Sequence, residues 1–259
     1  MATKYPIVLV HGIAAKQLPF FNAFGSIDKE LKKEGYKVYV SDHDGFGSIE
    51  NNAEQIKKYI RWVMAENRTD KVNIIAHSKG GLDSKYMITE LGMEEHVASL
   101  TTICTPHQGS IIASKIYDLP YSAKIAISCI VNDLYQVIAG DKHPDSLKVC
   151  EQLCSVDTYD EVMHLSNHVY CQSYSTNIAE AADCVVMALP MNIQNRALAS
   201  DNDGLVAEES TKFGVYRGSC LDTPVSHVQI IDFCAKKRQK TRIYSFYKQV
   251  CSDLEIMGF

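Results

Sequence analysis

A serine occupies the most chemically suggestive place in this chain, within the segment Ala76-His77-Ser78-Lys79-Gly80-Gly81. The segment directly follows the apolar run at residues 72–75, so a strand is expected to lead into a sharp turn and then a helix. A serine between small residues in this setting is the nucleophile-elbow pattern, although Ala76 replaces its usual first glycine. Small residues are needed because the strand and helix backbones pass close together. The pattern predicts a nucleophilic Ser78, but it is common enough by chance that the chain must also supply its partners.

A serine hydroxyl needs a base to take its proton, and the base needs a carboxylate to orient it. In this architecture the three residues follow one another in the order serine, acid, histidine. The polar turn at residues 202–206 contains Asp203, and His227 follows it. We therefore predict Asp203 as the acid and His227 as the base. Three other acids remain alternatives to Asp203, namely Asp183, Asp201 and Asp222.

The other histidines fit the role of base less well. His11 precedes the serine and suits a loop that binds an oxyanion, while His77 adjoins Ser78 and is expected to face away from it. His164 and His168 precede Asp203 and would invert the order. Three more lie beside a strand end or in polar surroundings: His96, His107 and His143.

Attack on an ester carbonyl creates an oxyanion, which needs preorganised N–H donors. One predicted donor is the backbone amide of Lys79, at the start of the helix after Ser78, where the helix dipole also favours negative charge. The other should come from the loop after the first strand, Val10-His11-Gly12-Ile13, and the amide of Ile13 is the best candidate.

Apolar runs alternate with amphipathic stretches in the first part of the chain. Runs typical of buried strands lie at residues 5–10, 36–40, 72–76 and 98–104, and helical patterns lie at residues 20–34, 48–66 and 80–91. This alternation predicts an α/β fold with a mostly parallel central sheet and helices on both faces. A later strand is predicted at residues 168–174 and a closing helix at residues 241–254.

Residues 110–166 interrupt the alternation of strands and helices, because they contain mostly helical stretches and no convincing core strand. Residues 123–138 are apolar around most of the helix, which is typical either of a buried helix or of a mobile lid over an apolar site. We therefore expect one domain over residues 1–259, with a helical lid or cap inserted at about 110–166.

Composition and charge argue against two classes of protein, those that bind nucleic acids and those that span membranes. A net charge of -5 argues against nucleic-acid binding, and no apolar run is long enough to span a membrane. The first residues run into a strand with no signal-peptide pattern, so a cytoplasmic protein is expected, or a secreted one whose leader has been removed. The nine cysteines form no CxxC pair and are expected to be reduced thiols.

Together these motifs resemble the bacterial true lipases, the triacylglycerol lipase-like family of the α/β-hydrolase superfamily. The resemblance extends over most of the chain and rests on five stretches: the first strand with His11-Gly12-Ile13, the Ser78 segment, residues 104–110 (Cys-Thr-Pro-His-Gln-Gly-Ser), the Asp203 turn, and the late Ser226-His227. It implies an α/β-hydrolase fold, a Ser78, Asp203 and His227 triad, and an oxyanion hole made by the amides of Ile13 and Lys79. It also implies that His107 is a structural neighbour of the site rather than a catalyst.

The chain departs from that family in three ways. It shows no leader, it has no cysteine shortly after the acid, and Gln229 stands where many members have a calcium-binding aspartate two residues after the histidine. Asp183 could supply one oxygen, but a hard divalent cation prefers several charged oxygen ligands. We therefore expect no essential metal and no cofactor.

The resemblance implies a triacylglycerol lipase that works through an acyl-enzyme. A soluble carboxylesterase or acyltransferase acting on smaller esters is the alternative, and a non-catalytic binding protein of the same fold is less favoured because no triad member is missing. The expected partners are a lipid or small ester and, through the lid, a transient lipid interface. The oligomeric state stays open.

Overall fold

The computed structural model describes residues 2–15, 22–154, 168–178 and 201–259 of the chain. Six strands in these ranges form one sheet in the order β2-β1-β3-β4-β5-β6, and every paired strand runs parallel to its neighbour. The strands are β1 (Ile7–Val10), β2 (Val38–Val40), β3 (Val72–His77), β4 (Val97–Ile103), β5 (Tyr170–Ser175) and β6 (Val215–Ser219).

The helices connect these strands and cover the sheet. They are α1 (Ile27–Lys33), α2 (Ile49–Asn67), α3 (Lys79–Thr89), α4 (Ile111–Tyr117), α5 (Tyr121–Leu134), α6 (Ser146–Cys154) and α7 (Lys237–Ile256). A π-helical turn, Tyr135–Ala139, extends α5, and short 3-10 turns lie at Glu94–His96, Glu208–Thr211 and Gln229–Ile231.

Both faces of the sheet are buried, as the continuous apolar strands predict. Successive residues of a strand point to opposite faces. In β1, Ile7 and Leu9 accordingly pack into the cluster that holds residues of α1 and α7, and Val8 and Val10 pack into the cluster with α2 and α3. The predicted α/β-hydrolase fold, with a parallel sheet between two helical layers, is confirmed.

Helix α2 shows how local sequence fixes an element. Its N-cap Ser48 accepts a hydrogen bond from the amide of Asn51 at 3.3 Å, which satisfies one of the free N–H groups of the first turn. An apolar stripe along α2 is fully buried against the sheet and consists of Ala53, Ile56, Ile60 and Val63.

The strand register brings the chemically important loops together. Val10 lies beside Ala76, and Ala76 lies beside Thr102. Because the strands are parallel, the segments that follow β1, β3 and β4 all leave the same edge of the sheet. In open parallel sheets this carboxyl edge is where ligands bind.

Two sequence expectations need correction. The first helix begins at Ile27, since residues 23–26 form turns, and residues 20–21 of the predicted helix lie outside the described residues. Strand β6 was not predicted, because Val215–Ser219 is a short edge strand with alternately exposed and half-buried residues and an internal Gly218, so it lacks the apolar run of the other strands.

The segment between β4 and β5 contains α4, α5 and α6; α4 and α5 both pack on α6, and all three line the cavity at Ser78. Of the residues in α5, Ser128 alone is buried, while large apolar side chains such as Ile130 stay exposed. The interpretation of residues 123–138 as an ordinary buried helix is therefore wrong. Residues 155–166 of the predicted insertion lie outside the described residues, and its motion as a lid stays a prediction. Within the described ranges, no helix has the length and apolar character needed to cross a membrane.

Candidate active site

Ser78 lies at the tip of the turn between β3 and α3, in a backbone conformation that non-glycine residues rarely adopt. Its φ is +55° and its ψ is -135°. Two hydrogen bonds hold this turn: the amide of Ser78 donates to the carbonyl of Ile103 at 3.0 Å, and the Thr105 hydroxyl donates to the Ser78 carbonyl at 2.8 Å. Strained residues of this kind persist where the surroundings fix them, and they concentrate at functional sites.

The small residues around Ser78 are required by close backbone contacts. A Cβ atom on Gly12 would lie 2.6 Å from the Cβ of Ser78, and one on Gly80 would lie 2.7 Å from the carbonyl oxygen of Val10. A Cβ on Gly81 would lie 2.7 Å from Cγ2 of Thr105 and closer still to its hydroxyl oxygen. The loop after β1 and the start of α3 can therefore approach the serine only because these positions have no side chain.

Asp203 is held in a tight turn that presents its carboxylate. One oxygen, Oδ1, accepts hydrogen bonds from the amides of Leu205 and Val206 at 2.9 and 2.7 Å. Gly204 has a φ of +100°, which the turn requires and which glycine adopts without strain. The Asp203 carbonyl also accepts from the amide of His227 at 2.9 Å, so the two loops are joined through their backbones.

The three residues predicted from the sequence meet at one point. His227 Nδ1 lies 2.7 Å from Asp203 Oδ2, and His227 Nε2 lies 2.9 Å from Ser78 Oγ. A carboxylate only accepts hydrogen bonds, so Nδ1 carries the proton and Nε2 is left to accept from the Ser78 hydroxyl. All three side chains are buried. A relay of this geometry can move a proton from the hydroxyl to the imidazole during attack on a carbonyl.

The alternative acids and bases lie elsewhere or outside the described residues. Asp201 and Asp222 are exposed. His11 stacks on His43 with ring centroids 3.7 Å apart, and its Nδ1 lies 3.0 Å from the carbonyl oxygen of Gly12. His96, His143 and His168 are exposed or half-exposed. Asp183 and His164 lie outside the described residues.

The two predicted oxyanion donors flank Ser78. Lys79 is the first residue of α3, and amides in a helix's first turn have no acceptor within the helix. Ile13 follows Gly12, which packs against Ser78, and Ile13 lines the same cavity as the serine.

The Lys79 side chain turns away from the cavity into a buried polar network. Its Nζ pairs with Asp83 Oδ1 at 2.5 Å, and Asn52 donates to Asp83 Oδ2 at 3.0 Å. Burial raises the pKa of Asp83 to about 6, against the opposing effect of the Lys79 charge. This pair anchors the first turn of α3, which carries the Lys79 amide.

An apolar cavity of about 470 Å³ opens at Ser78 and His227. Its walls come from the loops at the carboxyl edge and from α4, α5 and α6, which contribute Ile112, Ile116, Ile127, Val131, Leu147 and Leu153. Such a cavity favours a long apolar group placed next to the serine hydroxyl.

His77 is a residue that sequence reasoning missed. Its Nε2 lies 3.0 Å from the backbone carbonyl oxygen of His227. Burial lowers the pKa of His77 well below its ordinary value, and the charge of His227 acts in the same direction. The neutral ring therefore donates from Nε2 to the His227 carbonyl and helps to hold the loop that carries the base.

No metal site follows from these contacts. Among the described residues, one group of possible metal ligands lies within 4.8 Å of one another: Cys104 Sγ, a carboxylate oxygen of Asp203 and a ring nitrogen of His227. The Asp203 and His227 side chains, however, are already hydrogen-bonded to each other. The side chain of Gln229, the position that would carry a calcium ligand, is buried and accepts from the amide of Ser226 at 3.0 Å. The residues at this position do not fit a calcium site, and the absence of an essential metal stays a prediction.

The fold and the site together define a serine hydrolase of the α/β-hydrolase fold. A family model described as the alpha/beta hydrolase fold matches residues 5–119. The chain is 30% identical over 241 residues to a triacylglycerol lipase of Vibrio cholerae, an alignment that covers 82% of this chain and 75% of that protein. The chain therefore belongs to the triacylglycerol lipase family of carboxylic ester hydrolases.

Two further comparisons show how far the similarity to known lipases extends. A triacylglycerol lipase of Pseudarthrobacter phenanthrenivorans is 40% identical over 123 residues, but the match spans only 38% of that protein and 46% of this chain. The crystal structure of Staphylococcus hyicus lipase superposes with a TM-score of 0.68 at 16% identity, covering 97% of this chain and 95% of that one. At that identity the superposition supports the shared fold alone.

His107 is buried and has a packing role. Its Nε2 lies 3.0 Å from the Thr102 hydroxyl, and its ring stacks on Phe213 with centroids 4.3 Å apart. Burial lowers the pKa of His107 to about 3, and the charge of Lys85 acts in the same direction. The ordinary pKa of a histidine in the unfolded chain is about 6.5. Between about pH 3 and pH 6.5, His107 therefore binds a proton in the unfolded chain but not in the folded one. The free energy of unfolding consequently decreases as pH falls below about 6.5.

We predict that His107→Gln reduces this loss. Between pH 7 and pH 5 the free energy of unfolding should fall by about 2 kcal/mol less in the variant than in the parent protein. Urea unfolding at both pH values measures the difference. His143→Gln, at an exposed side chain, is the matched control and should lose as much as the parent. Equal losses in the parent and in His107→Gln would contradict the expectation.

Proposed function

We propose that this protein hydrolyses carboxylic esters of fatty acids and that acylglycerols are its substrates. The observation that carries the proposal is the Ser78, His227 and Asp203 relay at the mouth of an apolar cavity of about 470 Å³. The names of its relatives in Vibrio cholerae and Pseudarthrobacter phenanthrenivorans, both triacylglycerol lipases, support the substrate class.

The proposed reaction is acyl transfer through Ser78. His227 Nε2 takes the hydroxyl proton as Oγ attacks the ester carbonyl, and Asp203 stabilises the imidazolium that forms. The amides of Ile13 and Lys79 donate to the oxyanion of the tetrahedral intermediate. His227 then protonates the leaving alcohol, and a water molecule activated by the same histidine releases the fatty acid and restores Ser78.

The cavity and relay suit a substrate with a long acyl chain. The reacting carbonyl must lie at Ser78 Oγ, and the adjoining space is bounded mostly by aliphatic side chains of α4, α5 and α6. Each methylene buried there contributes about 0.8 kcal/mol. Small polar esters would not gain this energy, which favours a fatty acyl substrate over a compact one.

The outer side of the inserted helices suits contact with a lipid surface. Along α5 and the turn after it, a stripe of apolar side chains points outward, with Ile130 exposed to 69% and Val137 to 82%. Two other exposed apolar residues of α5, Tyr121 and Leu134, are also outside the lining of the cavity. We propose that α4–α6 act as a lid that docks on a lipid interface through this face.

We propose a cytoplasmic location from the state of the cysteines alone. The eight cysteines that the structure describes are all free thiols, which suits a reducing compartment. Fractionation of the source cells would test it.

Replacing Ser78 tests the proposed reaction. Ser78→Ala should lower turnover of p-nitrophenyl butyrate by roughly a million-fold and abolish labelling by a fluorophosphonate probe, because both need the hydroxyl. Ser219→Ala, on the edge strand β6, is the control and should be labelled like the parent protein. Labelling or turnover that survives in Ser78→Ala would overturn the proposal.

An active enzyme that prefers acetyl over longer acyl esters, or that transfers the acyl group to an added alcohol more readily than to water, would instead identify the esterase or acyltransferase.

Replacing the exposed stripe tests the lipid contact. In a double variant, Ile130→Ser and Val137→Ser, the ratio of activity on emulsified tributyrin to activity on dissolved p-nitrophenyl butyrate should fall about tenfold, since apolar area available to the interface is lost. Val215→Ser removes an exposed apolar side chain from β6 and should leave the ratio unchanged. A double variant with the parent's ratio would exclude docking through this face.

A further inference from the structure

The loop after β2 and the loop after the π-helical turn exchange carboxylate contacts. Asp44 Oδ1 and Oδ2 accept from the amides of Lys142 and His143, each at 2.9 Å. In return, Asp141 Oδ1 and Oδ2 accept from the amides of Gly45 and Phe46 at 3.0 and 2.9 Å. Both aspartates are buried. Each carboxylate thus binds two consecutive amides of the other loop, an arrangement that fixes the loops in both position and orientation.

The mutual contacts of Asp44 and Asp141 form a reciprocal clamp between the two loops, and further contacts reinforce this clamp. The carbonyl of Phe46 accepts from the amide of Asp145 at 2.8 Å, and Gly47 pairs with Pro144. On the side of the main domain, Asn52 donates to the carbonyl of Asp44 at 3.1 Å. Asn52 also binds Asp83, the partner of Lys79, so the clamp is connected to the helix that begins at the nucleophile.

The clamp reaches the loop that carries Ile13 through one residue, Ala14. The amide of Ala14 donates to the carbonyl of Gly45 at 3.1 Å, and the hydroxyl of Tyr135 donates to the carbonyl of Ala14 at 3.2 Å. The Tyr135 ring packs edge-on against Phe46 with centroids 4.4 Å apart. Ala14 has a φ of +61°, a conformation that a non-glycine residue holds only when its neighbours impose it.

We propose that Tyr135, Asp44 and Asp141 are positioning residues that set the geometry of the oxyanion loop. The proposal rests on the proposed function, in which the amide of Ile13 stabilises the oxyanion. Ala14 directly follows Ile13; its N–H donates to the carbonyl of Gly45, and its C=O accepts from the hydroxyl of Tyr135. A hydroxyl on the inserted helices therefore takes part in orienting the donor beside Ser78, and the insertion contributes to catalysis as well as to the acyl cavity.

The Tyr135 ring lies close to the backbone of Gly45. A Cβ atom there would lie 3.1 Å from Cε1 of Tyr135 and 3.3 Å from its Cδ1. A side chain at this position would require the Tyr135 ring to shift by a few tenths of an ångström.

Tyr135→Phe tests the proposal with the smallest change, since it removes the hydroxyl and leaves the ring. With p-nitrophenyl butyrate we expect kcat to fall about fivefold to tenfold while KM changes less than twofold, because the donor matters only once the oxyanion forms. The inhibition constant of an alkylboronic acid, whose adduct with Ser78 is tetrahedral, should rise by the same factor. Tyr5→Phe, at the opposite end of β1, is the matched control and should match the parent in all three values.

Asp141→Asn tests the other arm of the clamp. An amide side chain offers one acceptor instead of two and would direct its NH2 group at a backbone N–H. We expect kcat to fall at least tenfold and amide hydrogen exchange at residues 12–15 to become faster. Should this variant fail to fold, Tyr135→Phe still decides the question.

The outcomes separate this proposal from the function on which it rests. If ester hydrolysis by the parent protein does not depend on Ser78, the proposed function fails, whatever the Tyr135 variant does. If hydrolysis depends on Ser78 and Tyr135→Phe behaves like Tyr5→Phe, the positioning role is overturned. A rise in KM with unchanged kcat would also overturn it, since that result indicates only a wall of the acyl cavity.

Discussion

The carboxyl edge of the sheet is organised by the close approach of three backbones, those of the loop after β1, the turn after β3 and the first turn of α3. Gly12, Gly80 and Gly81 each occupy a place where a side chain would overlap a neighbour. Because nothing separates these segments, Ser78 is held in a strained conformation with its hydroxyl beside the loop of Ile13. The relay, the proposed oxyanion donors and the cavity all depend on this packing.

Local sequence predicted the parts of the molecule in which neighbouring residues determine the outcome. The buried parallel strands, the Ser48 cap of α2 and the turn at Ser78 each have a short-range signature. Asp203 and His227 could be predicted because the fold constrains their order along the chain, and the structure brings them to 2.7 Å from each other. Neither residue could have been assigned from its own surroundings in the sequence.

Long-range contacts account for what the sequence did not reveal. Strand β6 forms by pairing with β5, although its residues carry no apolar run. The bond between His77 and the carbonyl of His227 joins residues 150 positions apart. The clamp between Asp44 and Asp141 likewise joins two polar loops that look ordinary in isolation. The exposure of α5 has the same origin, since apolar composition alone does not distinguish a buried helix from one that covers a cavity.

The account depends most on the hydrogen bond between Asp203 and His227, which fixes the tautomer of the base. Turnover of p-nitrophenyl butyrate by Asp203→Asn measures it directly, with Asp201→Asn, at an exposed neighbouring position, as the control. Asparagine preserves the shape but permits the wrong tautomer, so kcat should fall about 10⁴-fold in the first variant and remain near the parent value in the second. A loss of less than tenfold in Asp203→Asn, or an equal loss in both variants, would contradict the assignment of the acid and with it the relay.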